Sequence, residues 1–234
     1  MINILKQSFI YIILFFHTII IAQSSRAGVW EDEKFSGLEF RSIGPALMSG
    51  RISDIAIHPN DENTWYVTAG SGNVWKTVNA GVTWDPIFDD QGSYSIGCVT
   101  IDPNDPNVIW IGTGEDLGGR HFGYGDGIYR SEDGGKNWKN MGLKNSERIS
   151  KIIIHPEDSK TLWVASQGPL WSSGGQRGVY KTVDGGKNWK LVLKGNKWTG
   201  ATELILDPRN PDRIYVALWQ RHRTVAAYMG GGPG

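Results

Sequence analysis

Cysteine is almost missing from this 234-residue chain, Cys98 being the only one. That excludes an internal disulfide framework and leaves no thiol near the N-terminus to carry a lipoprotein anchor. Charge imbalance is also lacking: 24 Lys and Arg balance 24 Asp and Glu. Nothing in the net charge draws the chain to nucleic acid or to an anionic membrane, so neither is expected as a partner. No apolar run reaches the roughly twenty residues of a membrane span. The longest, SFIYIILFFHTIIIA from Ser8 to Ala22, follows the basic start MINILKQ and precedes the polar QSSRAG. That order predicts a signal peptide over residues 1–22, with Gln23 as the mature start and no span left after cleavage. Ile20 at the −3 position, where a small residue is usual, keeps an uncleaved anchor as the alternative. Metal-binding spacing is missing as well, since His121 and His222 have no companion ligands, and no metal or cofactor is expected.

What is plentiful is glycine (31) and tryptophan (11), the residues of turn-rich sheets with stacked aromatic plates. They fall in a repeated octet: TVNAGVTW from Thr77, SEDGGKNW from Ser131 and TVDGGKNW from Thr182, with starts 54 and then 51 residues apart. A second pattern travels with it. RISDIAIHP (Arg51 to Pro59), SIGCVTIDP (Ser95 to Pro103), RISKIIIHP (Arg148 to Pro156) and ATELILDP (Ala201 to Pro208) each read as a strand closed by proline. A second apolar run comes after each: TWYVTAG, VIWIGTG, TLWVASQ and RIYVALW. A third strand lies just before each octet and the octet's Trp opens a fourth. The expected fold is all-β, a β-propeller of four-stranded antiparallel blades spanning 51–234, with 23–50 leading in. About three and a half blades are expected, the fourth stopping after two strands. The remaining blades are then expected elsewhere in a longer protein, because propellers are closed rings.

Within the octet, Ser131, Thr182, Asp133 and Asp184 have side-chain oxygens suited to local backbone N–H groups, while Gly135 and Gly186 supply positive φ. Trp84, Trp138 and Trp189 supply plates for packing between sheets. This pattern resembles the Asp-box, or BNR repeat, with Asn79 replacing the aspartate in the first unit. Its turn groups are consumed by their own backbone, so it is a fold signal and not a site. His58 and His155 close first strands where Asp102 and Asp207 close the others, which predicts that all four act as turn acceptors. Cys98, within a first strand, reads as a small buried hydrophobe.

Alternating strand direction puts the Pro turns and the octets at one end of the ring, and the second-to-third-strand connections at the other. These connections are very uneven. Blade one has a minimal one, blade two has GEDLGGRHFGYGD (Gly114 to Asp126), blade three QGPLWSSGGQR (Gln167 to Arg177), and blade four WQRHRTVAAYMGGGPG from Trp219. Long loops on a rigid scaffold are where binding residues concentrate, so any site is expected there. Glu115, Asp116 and Asp126 offer acid/base groups. Arg120, Arg177, Arg221 and Arg223 offer forked donors, His121 a further polar group, and Tyr124, Trp171, Trp219 and Tyr228 stacking plates. Arg51 and Arg148 open innermost strands, where guanidinium groups can receive a carboxylate.

From about Phe40 onward, FRSIGPALMSGRIS, GTGEDLGGRHFGYGDGIYRSEDGGKNW, QGPLWSSGGQRGVYKTVDGGKNW and LDPRNPDRIYVA resemble a family of secreted bacterial Asp-box propeller proteins described as glycosyl hydrolases or sortilin-like. The resemblance implies a large multi-blade propeller in an exported protein, secreted, periplasmic or at the cell surface. The sialidase arginine motif is departed from at Phe40 to Pro45. Xyloglucanase-like propellers place paired acids across a groove, and Glu115 and Asp116, being sequence neighbours, do not make an opposed pair. The expected function is therefore a binding or scaffolding propeller recognising a peptide or carbohydrate, with a sialidase-like or xyloglucanase-like glycoside hydrolase as the alternative.

Overall fold

A computed structural model describes residues 50–116 and 123–231; the expected signal peptide and lead-in segment lie outside them. Every regular element among these residues is a strand. β1 (Ile52–Ile57), β2 (Trp65–Ala69), β3 (Asn73–Thr77) and β4 (Asp85–Pro86) form one sheet in that order. The second sheet is β5 (Ile96–Ile101), β6 (Ile109–Thr113), β7 (Ile128–Ser131) and β8 (Lys139–Asn140), and the third is β9 (Ile149–His155), β10 (Asp158–Ser166), β11 (Gly178–Thr182) and β12 (Lys190–Leu193). The fourth holds β13 (Thr199–Asp207), β14 (Asn210–Arg223) and β15 (Tyr228–Gly231). All pairings are antiparallel, and the first strands β1, β5, β9 and β13 lie beside one another in chain order. The chain has the β-propeller fold.

Period-two alternation builds the core between blades. On β6, Ile109 and Ile111 face blade one, meeting Tyr66, Val74 and Phe88, while Trp110 faces blade three with Ile152, Ile154 and Leu162. On β10, Leu162 and Val164 turn back to blade two, and Trp163 and Ala165 turn forward to Ala201 and Leu204. Each middle sheet is thus apolar on both faces, so no blade has a core of its own. Cys98 is buried in this packing, and burial pushes its thiol pKa up, as a small hydrophobe's environment requires.

The turns are shaped by their side chains. The N–H of the residue two positions on donates to His58 Nδ1 (3.2 Å), Asp102 Oδ1 (2.9 Å), His155 Nδ1 (3.1 Å) and Asp207 Oδ1 (3.0 Å), so imidazole and carboxylate do the same work. In the octets one hydroxyl oxygen organises the loop. Ser131 Oγ accepts from the N–H of Gly135 at 2.8 Å and donates to Asp133 Oδ1 at 2.8 Å; Thr182 does the same with Gly186 and Asp184, and Thr77 with Gly81 and Asn79. Gly81, Gly135 and Gly186 have φ of 88°, 92° and 85°, the left-handed region that glycine tolerates. The octet Trp then reaches the preceding blade. Trp138 Nε1 donates to Ile87 O and Trp189 Nε1 to Met141 O, both at 2.7 Å.

Blade four departs from the sequence reading in two respects. It has three strands, not two, and its supposed long connection from Trp219 is largely strand: β14 continues to Arg223 and turns over Thr224 to Ala227 into β15. The charges in WQRHR read as a loop, yet they alternate. Arg221 and Arg223 point inward and are buried, and Gln220 and His222 point the other way, a pattern that a strand accommodates.

Candidate functional site at the long-loop end

The same irregularity recurs at the long-loop end of every blade. The register between first and second strands shifts between Ile52 and Asp54, between Ile96 and Cys98, opposite Ala165 and Ser166, and between Ala201 and Glu203. A bulge there bends the strand and re-aims the side chains beyond it. In the second blade it leaves no room for a side chain, because a Cβ on Gly97 would sit 2.0 Å from Ile149 O. Past the bulges, polar groups from different blades converge.

Glu115 is buried and ion-paired to Arg51, whose Nε lies 2.5 Å from Oε1. Arg148, also buried, contacts Glu147 at 3.2 Å and lies over the Tyr124 ring, 5.6 Å from its centroid. Both first-strand arginines therefore receive carboxylates, and these come from the chain itself. Asp126 is tied down by the Tyr129 hydroxyl at 2.5 Å. Of the three acidic residues singled out in the sequence, Asp116 is the one whose carboxyl accepts no side-chain hydrogen bond among the described residues. Burial raises its pKa, Arg221 opposes the rise, and the negative fields of Glu115 and Glu203 add to it.

Arg221 reaches across the blades. Its Nη1 donates to Asp116 O at 2.6 Å, joining residues 105 apart in sequence. Arg177 is spent on the loop that carries it: Nη1 donates to Gln167 O at 2.7 Å, Nη2 to Pro169 O and to Ser172 O at 2.9 Å, and Nε to Gly174 O at 2.6 Å. Burial lowers its pKa to about 10. Arg223 lies over the Tyr228 ring at 5.4 Å and Arg221 over Trp219 at 4.9 Å. Tyr124, Trp171, Trp219 and Tyr228 remain exposed, at 58%, 38%, 41% and 37%. Arg120 and His121 lie outside the described residues.

The family profile described as "Sortilin, neurotensin receptor 3" matches residues 126–229. A probable oligoxyloglucan-reducing end-specific xyloglucanase of Neosartorya fischeri is 24% identical over 198 residues, covering 76% of this chain and 22% of the relative. A xyloglucanase of Acetivibrio thermocellus is 26% identical over 237 residues, covering 84% and 25%. The crystal structure of an ancestral GH74 enzyme superposes with a TM-score of 0.57 at 18% identity, over 73% of this chain and 22% of that one. The chain spans about a quarter of the length of the curated relatives it matches. The likeness is to propellers, and among the curated relatives to proteins named for a glycan.

Sequence reasoning passed over two features of this end. Glu203 lies just past the blade-four bulge, and aligning the first strands puts Asp54, Cys98, Lys151 and Glu203 in one column, polar in three of four; that column was the available signal. The stack of Trp198 on His222, with centroids 3.8 Å apart, was hidden because the two sit on separate elements. A groove of about 630 Å³ lies at the opposite end, between the octets of blades two and three, lined by Asp133, Trp138, Lys160 and Asp184. Of its three octet carboxylates, Asp133 and Asp184 are engaged by Asn137 and Asn188 and by their own turns, and Glu132 is ion-paired to Arg130 at 2.5 Å. That leaves the groove without a free octet acid.

Proposed function

We propose that the chain contributes to a glycoside hydrolase acting on a xyloglucan-type polysaccharide outside the cell, with the long-loop end of blades two to four forming part of the glycan groove. The observation that carries this reading is the placement of Asp116, a partly buried carboxyl of raised pKa, beside Arg221, which itself lies over the exposed Trp219 ring. Sugar rings pack their apolar faces on such plates while hydroxyls bond to the polar groups between them. Names of the relatives support the substrate class.

Glycosidic cleavage needs a carboxylic acid that protonates the leaving oxygen and a carboxylate that stabilises or attacks the sugar. Asp116 fits the acid, because desolvation keeps its proton on at a pH where an exposed aspartate has lost it. Glu203, about half exposed on β13 and close enough for its charge to raise Asp116, is our choice for the second carboxylate. Glu115 is the positioning residue between Arg51 and Asp116. The test is hydrolysis of xyloglucan and of unbranched β-glucans by the full-length protein and its Asp116→Asn and Glu203→Gln variants. Loss of about 10²-fold or more in kcat for each, with unchanged folding, supports the assignment. Full activity in both variants, or none in the wild type on any glycan, overturns it.

The engaged state of Glu115 and Asp126 favours a second reading, a propeller that holds a glycan or peptide without cleaving it. Binding of xyloglucan oligosaccharides that weakens on Trp171→Ala and Trp219→Ala, without hydrolysis, separates the two. Secretion is supported by the sequence order of Met1 to Gly28, and N-terminal sequencing of the exported protein checks it.

A further inference from the structure

Three arginines at the long-loop end are buried together in blades three and four. Arg148 is 1% exposed, Arg177 6% and Arg221 5%. They line a cavity of about 10 Å³ with Gln167, Gly168, Pro169 and Leu170. Buried charges are ordinarily paired. Glu147 brings one side-chain carboxylate to the trio, at 3.2 Å from Arg148. Asp116 hydrogen-bonds Arg221 through its backbone carbonyl and acts on it with its carboxyl only through space, and Arg177 is spent on carbonyls, which carry no net charge. Arg221 Nη2 is buried with no hydrogen-bond partner, and so is Gln167 Oε1.

The geometry points to a small-anion site in this cavity, one that takes a single halide ion such as chloride between Arg148, Arg177 and Arg221. Size limits the class: the space is about that of one water molecule, so a halide, somewhat larger, enters with a small outward shift of the flexible arginine lining, and a polyatomic oxyanion such as sulfate or phosphate does not. Charge selects the sign. Burial lowers the pKa of all three; Glu147 opposes it at Arg148 and Arg177, and Tyr228 and Asp116 oppose it at Arg221, yet the net shift stays downward at each, so an anion among them relieves a cost that a neutral molecule leaves in place. The anion accepts from Arg221 Nη2, the donor that lacks a partner. Turned about its last torsion, the Gln167 amide presents its NH₂ to the same ion, since its oxygen is engaged by nothing as placed. A water molecule bonded to Gln167 Oε1 and Arg221 Nη2 is the competing occupant.

The site shares Arg221 with the glycan reading but does not depend on it, and its test does not involve activity. Thermal unfolding of the full chain is followed in sodium chloride, bromide and gluconate at equal ionic strength, and crystals soaked in bromide are measured at the bromine edge. A saturable rise in midpoint of several degrees with the halides and not with gluconate, together with an anomalous peak touching Arg221 Nη2, is the expected result. Arg221→Gln abolishes the halide-dependent rise. Should that variant fail to fold, Gln167→Leu, which fills the same space without removing a charge, must weaken it. Equal midpoints in all three salts, or ordinary water density without an anomalous peak, overturns the assignment.

Discussion

Removing the hydroxyl of Ser131 isolates what holds an octet together. In Ser131→Ala one buried oxygen is lost that accepts from the N–H of Gly135 at 2.8 Å and of Asp133 at 3.3 Å and donates to Asp133 Oδ1 at 2.8 Å. Asp133 turns to water, so its loss is small. The Gly135 N–H is buried and cannot, and a buried donor left unpaired costs about 1–3 kcal/mol. Adding about 1 kcal/mol for the bond to the carboxylate gives a destabilisation of roughly 2–4 kcal/mol. For a chain of this size that lowers the unfolding midpoint by roughly 4–16 °C, at about 2–4 °C per kcal/mol. Ser131→Thr keeps the oxygen, and Thr77 and Thr182 show that the turn accepts a γ-methyl. It is expected within about 0.5 kcal/mol of wild type. Urea unfolding gives the difference, and hydrogen exchange of the Gly135 amide locates it. If alanine and threonine variants unfold together, or if Gly135 exchange is unchanged in Ser131→Ala, the hydroxyl is not the organiser of the turn.

Gly97→Ala puts a methyl 2.0 Å from Ile149 O and 2.7 Å from Gly114 O, both backbone atoms, so we expect a loss of more than about 4 kcal/mol and insoluble protein on expression. Acidification is expected to loosen the octets. Hydrogen bonds from Asn137 hold Asp133 down to about 2, and bonds from Thr182 and Asn188 do the same for Asp184. A depressed carboxylate stabilises the fold above its unfolded pKa near 4 and loses that contribution as pH falls towards 2. Asp133→Asn combined with Asp184→Asn should flatten the midpoint between pH 4 and 2, with Asn79 as the precedent for the amide. Arg177→Gln should free the Gln167 to Gly175 loop, read as faster limited proteolysis there with little change in the blade-two amides.

The blades were legible because each repeat writes the same physical requirements in order. An apolar strand, an acceptor before proline, a second strand and an octet with glycine at the left-handed position recur, and the structure uses each as read, down to the equivalence of His58 with Asp102. The long-loop end was legible only as a location. Arg177 reads in sequence as a ligand donor, yet the carbonyls of its own loop consume it, a fact that depends on where the chain folds back. Glu203 was passed over because its neighbour in space, Asp116, is two blades away. The strand character of Trp219 to Arg223 was masked by charge, since Arg221 and Arg223 are buried whole and the aromatic and carbonyl groups that receive them come from other parts of the chain.

The octet tryptophans of blades two and three each fasten their blade to the one before it: Trp138 to Ile87, Trp189 to Met141. The fastening therefore has a polarity that matches the order of synthesis. As the chain leaves the ribosome, the carbonyl a tryptophan needs has already been made, and a finished blade waits for nothing downstream to secure its own indole. Assembly becomes a ratchet in which every step is locked by the segment that has just emerged. A repeat duplicated within such a chain arrives with its own latch, facing a neighbour that already presents the catch.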